Sequence, residues 1–406
     1  MLVHKGFKYR LYPTKEQETQ LLQQAGNTRF IWNKFLEFNL KSYKDTKKFL
    51  FAYDMSMSIP KLKEEFEFLK LSFSQSLQQV GRHLDKSLKD SFKKTKSFPK
   101  FKKKSNQDSF TVPQAFFLNK NSVKLPKIGK VKWVKHRNWK GNPKFLTVSR
   151  DGNQWYCSVT CEVNLPDKQY SDKNIVGIDV GLKKFAVLSD NTKVRRVRHF
   201  NKYDRKLKRE QRWLSRKTKG SNNRKKQITK VQIVHRKIRN TRKDFLHKTS
   251  SDMIAKYSGV AVEDLNVSGM MKNHKLARSI SDVGWYEFIR MLEYKALWNS
   301  KYFIKVDKWY ASSKICNKCG NKKVDLALKD RTYKCENCKS IIGRDYNASK
   351  NIRDEGIRIL EINKNKTTVG YTGSNACGDD KFHLFPEEEK EVVVKETGKR
   401  ITTLIS

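Results

Sequence analysis

The sequence predicts an α+β multidomain protein, and three observations carry that expectation. The first 165 residues pass from strand-like alternation in "FKYRLYP" to helical spacing between Thr14 and Phe92, and back to alternation from Phe110 onward. After Lys173 an apolar pair of runs, "IVGIDV" and "FAVLSD", opens a second region in which strands alternate with long helices. Late in that region two Cys-x-x-Cys pairs form a unit of their own. The expected organisation is a small β-barrel or sheet from 1–13 and 97–172, interrupted by a helical insertion over 14–96. A second α/β region follows over 173–311 and 340–364, with the cysteine pairs between these stretches at 312–339. The acidic, apolar-poor tail 365–406, with "PEEEKE", is expected to be disordered.

Each element has a local reason. Pro13 ends the first strand, and Thr14 with Gln17 forms a capping box that starts a helix carrying Leu21, Leu22, Ala25, Trp32 and Phe35. Further helices are expected over 60–69 and 74–92, the second with Leu77, Leu84, Leu88 and Phe92 on one side. The basic, proline-broken "KSFPKFKKKSNQDSF" reads as a loop. Short strands follow in "GKVKWVKH", "FLTVSRDG" and "WYCSVTCEV". In the second domain Gly181 turns a β-hairpin. Residues 203–248 then form a basic helical hairpin, with Leu207 and Leu214 on one arm and Ile228, Val231, Val234, Ile238 and Phe245 on the other. "YSGVAVEDLNV" is a strand ending at Glu263 and Asp264, a helix spans 285–301, and "YFIKVD" is a strand before the cysteines. "GRDYNASKNIRDEG" is a turn into a helix with Asp345 at its mouth.

Charge narrows the class of function. With 88 Lys and Arg against 41 Asp and Glu, the formal net charge is +47, which implies a polyanionic partner held by salt-sensitive contacts. Nucleic acid leads. An anionic membrane surface is the alternative, but no run of about 18 apolar residues is present, and "MLVHKGFKYR" lacks a signal-peptide core. A hydrophobic content of 37% excludes a disordered basic tail. No glycine-rich phosphate loop ending in Lys-Ser or Lys-Thr occurs, which argues against an ATP-driven motor.

Cys316, Cys319, Cys335 and Cys338 have the spacing of two knuckles that close a four-thiolate structural zinc site, with no vacancy for a catalytic water. Cys157 and Cys161 fall on one face of a strand and read as core; Cys377 stands alone in the tail. Three acids complete the set of candidates. Asp179 lies in an apolar strand, Glu263 at a strand end and Asp345 at a helix start, positions that can converge at one edge of a sheet. Close carboxylates repel unless cations neutralise them, and Mg²⁺ or Mn²⁺ with oxygen ligands would do so. A Gly-Ile-Asp-x-Gly run also opens the phosphate-binding sheets of sugar kinases and actin-like ATPases.

The order of these acids, with the knuckles just before the last, resembles the TnpB family of transposon-encoded RNA-guided nucleases, relatives of the compact type V CRISPR effectors. The resemblance runs through "FKYRLYPTKEQ", "GNTRFIWN", "FPKFKKK", "GIDVGLKKFAVLSD", "VEDLNVSGM", "SISDVGWYEFIRMLEYKA", the four cysteines and "GRDYNASKNI". It implies that Asp179, Glu263 and Asp345 are the catalytic, Mg²⁺-binding triad of a RuvC-like nuclease domain with a ribonuclease H fold. It also implies that Cys316, Cys319, Cys335 and Cys338 hold the Zn²⁺ of a ribbon, and that the N-terminal third is an oligonucleotide-binding-like wedge barrel. The implied activity is RNA-guided double-strand cleavage of DNA beside a short adjacent motif, with guide RNA from the transposon end and double-stranded target DNA as partners. Tyr53, Ser74, Gln75 and Gln78 are candidates for reading that motif, since their side chains can bond base edges. A monomer in the prokaryotic cytoplasm, on nucleoid DNA, is the expectation. A DNA-joining transposase and a nuclease-inactive RNA-guided repressor are the rivals.

Overall fold

A computed structural model of the chain describes residues 2–104, 108–165, 174–323, 325–326 and 330–368. Beyond Thr368, the tail and its Cys377 lie outside the described residues.

The N-terminal part runs β1 (Leu2–Tyr12), α1 (Lys15–Thr46), α2 (Ala52–Met57), α3 (Ile59–Glu65), a 3-10 turn (Glu67–Leu71), α4 (Ser74–Phe92), then β2 (Ser109–Val112), β3 (Phe117–Leu118), β4 (Ser122–Leu125), β5 (Gly129–Val134), β6 (Asn142–Asp151) and β7 (Gln154–Asn164). The strands form one seven-stranded antiparallel sheet in the order β2-β6-β7-β1-β5-β4-β3. Alternate residues, among them Tyr9, Leu11, Val131, Trp133, Leu146, Val148, Trp155, Cys157 and Cys161, meet in a single apolar cluster, so the sheet curls around its own core. Burial pushes the Cys157 thiol up to about 12 and Cys161 to about 11, as packing residues should behave.

The capping box is present: Gln17 donates its backbone N–H to Thr14 Oγ1 at 3.2 Å, and Thr14 N–H donates to Gln17 Oε1 at 3.1 Å. The helix it starts serves two cores. Leu21 and Ala25 pack into the sheet cluster, whereas Ile31, Trp32, Phe35 and Leu36 pack with Met55, Leu62, Leu77, Leu84 and Leu88 of the helical segment. The helix expected over 60–69 is divided, because Pro60 sits in the first turn of α3 and the chain leaves helical geometry at Phe66.

The second part runs β8 (Ile175–Val180), β9 (Lys184–Leu188), β10 (Lys193–Arg195), α5 (His199–Ser215), α6 (Asn222–Lys256), β11 (Gly259–Glu263), α7 (Val267–Met270), α8 (His274–Val283), α9 (Trp285–Trp298), β12 (Tyr302–Val306), β13 (Thr332–Lys334), β14 (Ile341–Gly343) and α10 (Arg344–Thr368). The sheet order is β10-β9-β8-β11-β12, with β9 antiparallel to both neighbours and β11 parallel to both of its own. Helix α8, not among the expected elements, begins where the Asn273 side chain accepts from Lys275 N.

The two faces of this sheet have different partners. Val176, Ile178, Val260 and Val262 pack against α6 and α9 through Leu246, Ile254, Phe288 and Leu292. Ile175, Ala261 and Ile304 face α10 at Ile352. Helix and sheet backbone touch there: a Cβ on Gly177 would lie 2.0 Å from Ser349 O and 2.5 Å from Arg353 N, and one on Gly356 would lie 2.6 Å from the Cβ of Ala261. A clamp joins the two sheets' neighbourhoods. Arg236 of α6 donates to Asp151 O at 2.9 Å and Asn153 Oδ1 at 3.0 Å in the β6–β7 turn, and Arg239 pairs with Asp151.

A single methyl at position 177 should therefore push α10 off the sheet. Gly177→Ala is expected to cost about 1–3 kcal/mol by overpacking, read as a lowered thermal midpoint. Gly6→Ala, whose added carbon meets nothing closer than Ser158 Oγ at 3.7 Å, should leave the midpoint unchanged.

Candidate functional site

Side chains alternate along a strand, so the face of Gly177 is also the face of Asp179, and the face of Ala261 is also that of Glu263. The parallel register sets Val262 beside Ile178, which brings the ends bearing Glu263 and Asp179 level. Asp345 enters from the helix packed on that same face, one helical turn before Ser349, the residue that touches Gly177. All three carboxylates are half-buried. Loss of water around Asp179 pushes its carboxyl well above the usual range, and the charges of Asp345 and Glu263 push it the same way; Arg344 opposes them. Burial also raises Glu263, against a hydrogen bond that Ser312 Oγ donates to Glu263 Oε1 at 3.0 Å. Mutually repelling oxygens in a poorly hydrated recess suit a hard divalent cation.

The thiols of Cys316, Cys319, Cys335 and Cys338 lie within 4.8 Å of one another. Sγ of Cys316 and Cys338 are 3.6 Å apart, and those of Cys319 and Cys335 are 3.5 Å apart. Four thiolates at about 2.3 Å from one zinc would be spaced by about 3.8 Å, so the donor set fits that ion as a closed structural site. Among the described residues it is the one group of three or more His, Cys, Asp or Glu whose ligand atoms all lie within 4.8 Å of one another; the three carboxylates are more widely set. The knuckles are built locally. Gly320 takes φ +75° and donates its N–H to Cys316 O at 2.8 Å, and Cys335 N–H donates to Ser340 O at 2.9 Å. Ser340 beside Cys338 lowers that thiol to about 6, favouring the ligating thiolate.

The ribbon is tied to the acids by residues that sequence reasoning missed. Asn347 and Asn351, one turn apart on α10, are 0% and 3% exposed. Asn347 Nδ2 donates to Ile315 O at 2.6 Å and its Oδ1 accepts from Asn317 N at 3.0 Å. Asn351 Nδ2 donates to the carbonyls of Ser312 and Ile315, each at 2.7 Å. The segment leading into the first knuckle is thus bonded to the helix that begins with Asp345, and its Ser312 bonds Glu263. Only the i, i+4 repetition of Asn in "DYNASKNI" could have signalled this.

The candidates for motif reading are more scattered. Tyr53 of α2 is 75% exposed. In α4, Ser74 Oγ accepts from Lys63 Nζ at 2.6 Å, Gln78 is exposed, and Gln75 keeps a buried Oε1 without a partner. Among the described residues no side-chain hydrogen bond joins any two of the four.

Three family models match: one described as "Probable transposase" over residues 158–274, one as "Cas12f1-like, TNB domain" over 285–352, and one as "Helix-turn-helix domain" over 1–48. In this chain the last of these spans a strand and one 32-residue helix. A Streptomyces pristinaespiralis protein named "Putative RNA-guided DNA endonuclease" is 34% identical over 385 residues, covering 93% of this chain and 92% of its own. Its counterpart InsQ from Escherichia coli K12, named in the same words, is 34% identical over 377 residues, covering 87% and 93%. A solved Cas12f1–sgRNA–target DNA complex overlays with a TM-score of 0.49 at 16% identity, covering 87% of this chain and 99% of that one.

Two outcomes test this geometry. A carboxylate raised in the folded state destabilises as it ionises, so its contribution is intact below about pH 4, the unfolded value, and is lost as pH climbs through the folded value. Asp179→Asn should match wild type near pH 4 in magnesium-free buffer and melt progressively higher than wild type toward pH 8. Cys335→Ser should drop zinc well below about one ion per chain by elemental analysis. It should also speed amide exchange at Asn317, whose N–H is held by Asn347.

Proposed function

Because the chain belongs to the TnpB family, we propose that it is an RNA-guided DNA endonuclease that makes double-strand breaks at sites bearing a short adjacent motif and guide complementarity. The observation that carries this reading is the placement of Asp179, Glu263 and Asp345 on one face of the second sheet, at one end. A sheet whose first three strands are antiparallel and whose last two run parallel to the first is consistent with a RuvC-like ribonuclease H fold over 173–311 and 340–364. The ribbon at 312–339 is its insert, the curled sheet with 1–13 and 97–172 is the wedge, and 14–96 is the recognition insertion.

Asp179, Glu263 and Asp345 would hold two Mg²⁺ or Mn²⁺ ions. When bound, such ions supply the charge that lets water attack a phosphodiester and lets the leaving oxygen depart. The chain's own residues do the rest. Ser312 fixes the orientation of Glu263, Arg344 offsets part of the carboxylate repulsion, and the zinc ribbon holds α10 through Asn347 and Asn351. Guide and target strands would be bound by the cationic surface of a +47 chain, with sequence supplied by base pairing. Tyr53, Ser74, Gln75 and Gln78 remain the proposed readers of the adjacent motif.

One family model's description favours a second reading, a transposase using the same acids. The two differ in what they need. Asp179→Ala, Glu263→Ala or Asp345→Ala should each reduce Mg²⁺-dependent cleavage at least a hundredfold, about 3 kcal/mol of barrier, while guide and target binding persist. Exchanging the guide segment of the bound RNA should move the cut site with no change in protein. Strand-transfer products from RNA-free protein would favour the transposase, and guided binding without any cutting by the unaltered chain would favour a repressor.

A further inference from the structure

Where α1, α4 and β2 meet, a cavity of about 270 Å³ is left without a role by the nuclease reading. Its wall is apolar where Trp32, Val80 and Phe110 contribute to it. Into that wall α4 brings Ser76, which is 1% exposed and whose Oγ has no hydrogen-bond partner in the protein. Gln79, one turn on, lines the same cavity, whereas Gln78 between them is exposed to solvent. A buried hydroxyl without a partner is destabilising, so its presence here needs an occupant. One water occupies about 30 Å³, far less than the space available.

The rest of the lining is charged: Asp108 is paired with Arg29 at 3.0 Å, and two lysines stand beside that pair. Lys102 and Lys103 come from the coil that carries "FPKFKKK", and that coil is pinned rather than loose. Trp32 Nε1 donates to Lys100 O at 3.1 Å, and Asn33 exchanges two bonds with the Lys102 backbone at 3.0 and 2.8 Å. The Lys102 ammonium sits 3.5 Å from the Trp32 ring centroid. A bare anion would have no use for the apolar wall, and an apolar ligand would leave Ser76 unpaired. A planar, hydrogen-bonding base with a phosphate attached satisfies wall, hydroxyl and lysines together.

We propose that this cavity takes one unstacked nucleotide of a nucleic-acid strand, its base beside Ser76 and Gln79 and its phosphate against Lys102 and Lys103. The proposal rests on the reading that the chain handles nucleic acid, and it assigns a side of α4 different from that of Gln78.

The test uses the full chain in magnesium-free buffer with single-stranded RNA and DNA dodecamers, each carrying one 2-aminopurine. Fluorescence should rise on binding as that base leaves its stack, and the strand type giving the rise identifies the source. Ser76→Ala should weaken the response about fivefold to tenfold without lowering the thermal midpoint, since the substitution removes an unpaired hydroxyl. Lys102→Gln with Lys103→Gln should weaken it and flatten its salt dependence. Binding with no fluorescence rise, or a Ser76→Ala protein that melts lower and responds as wild type does, overturns the proposal. Guided cleavage in a protein with a flat response would sink the cavity alone; a full response in a protein that never cuts would sink the nuclease reading alone.

Discussion

The backbone contact between Gly177 and Ser349 sets where every group around the acids can stand. Helix and strand come together there with no side chain between them, so the helix start is held close to the strand ends on which Asp179 and Glu263 lie. A larger residue at 177 would lift α10, and with it both Asp345 and the asparagines that anchor the ribbon. The site is therefore positioned less by its own polar bonds than by a close backbone approach two residues away from Asp179.

That positioning is maintained against the site's own electrostatics. Burial and the charges of Asp345 and Glu263 disfavour the ionisation of Asp179, which Arg344 opposes, and burial disfavours that of Glu263, which the Ser312 hydroxyl opposes. The packing of Ile175, Ala261, Ile304 and Ile352 beneath them offsets that repulsion. A cation held there would relieve it, so ion affinity and helix docking would be linked through the same few residues.

What could be read beforehand follows the range of the interactions. The four-cysteine cluster was legible because its geometry is set within two short turns. The capping box at Thr14 and Gln17 and the basic helical hairpin were legible for the same reason. Asp179 and Glu263 stand out as carboxylates in or at the end of apolar strands, whereas Asp345, at a helix start, stands out only by its order after the cysteines, on which the family resemblance rests. Ser312, Asn347 and Asn351 were illegible: each bonds a segment distant in the chain, and polar residues in a loop or on a helix are ordinary. Ser76 was hidden too, because a serine on an amphipathic helix says nothing about whether its hydroxyl finds a partner.

The division of α1 between two cores bears on how the protein could be made smaller. Removing the helical segment at Pro13 would strip Leu21 and Ala25 from the apolar cluster that they share with Trp155 and Val148, and open a void in the curled sheet's core. A miniaturised chain would have to keep the first four turns of that helix, through Thr28, and rejoin the sheet from there. The piece that looks like a detachable accessory is, over that length, a strut of the domain it interrupts.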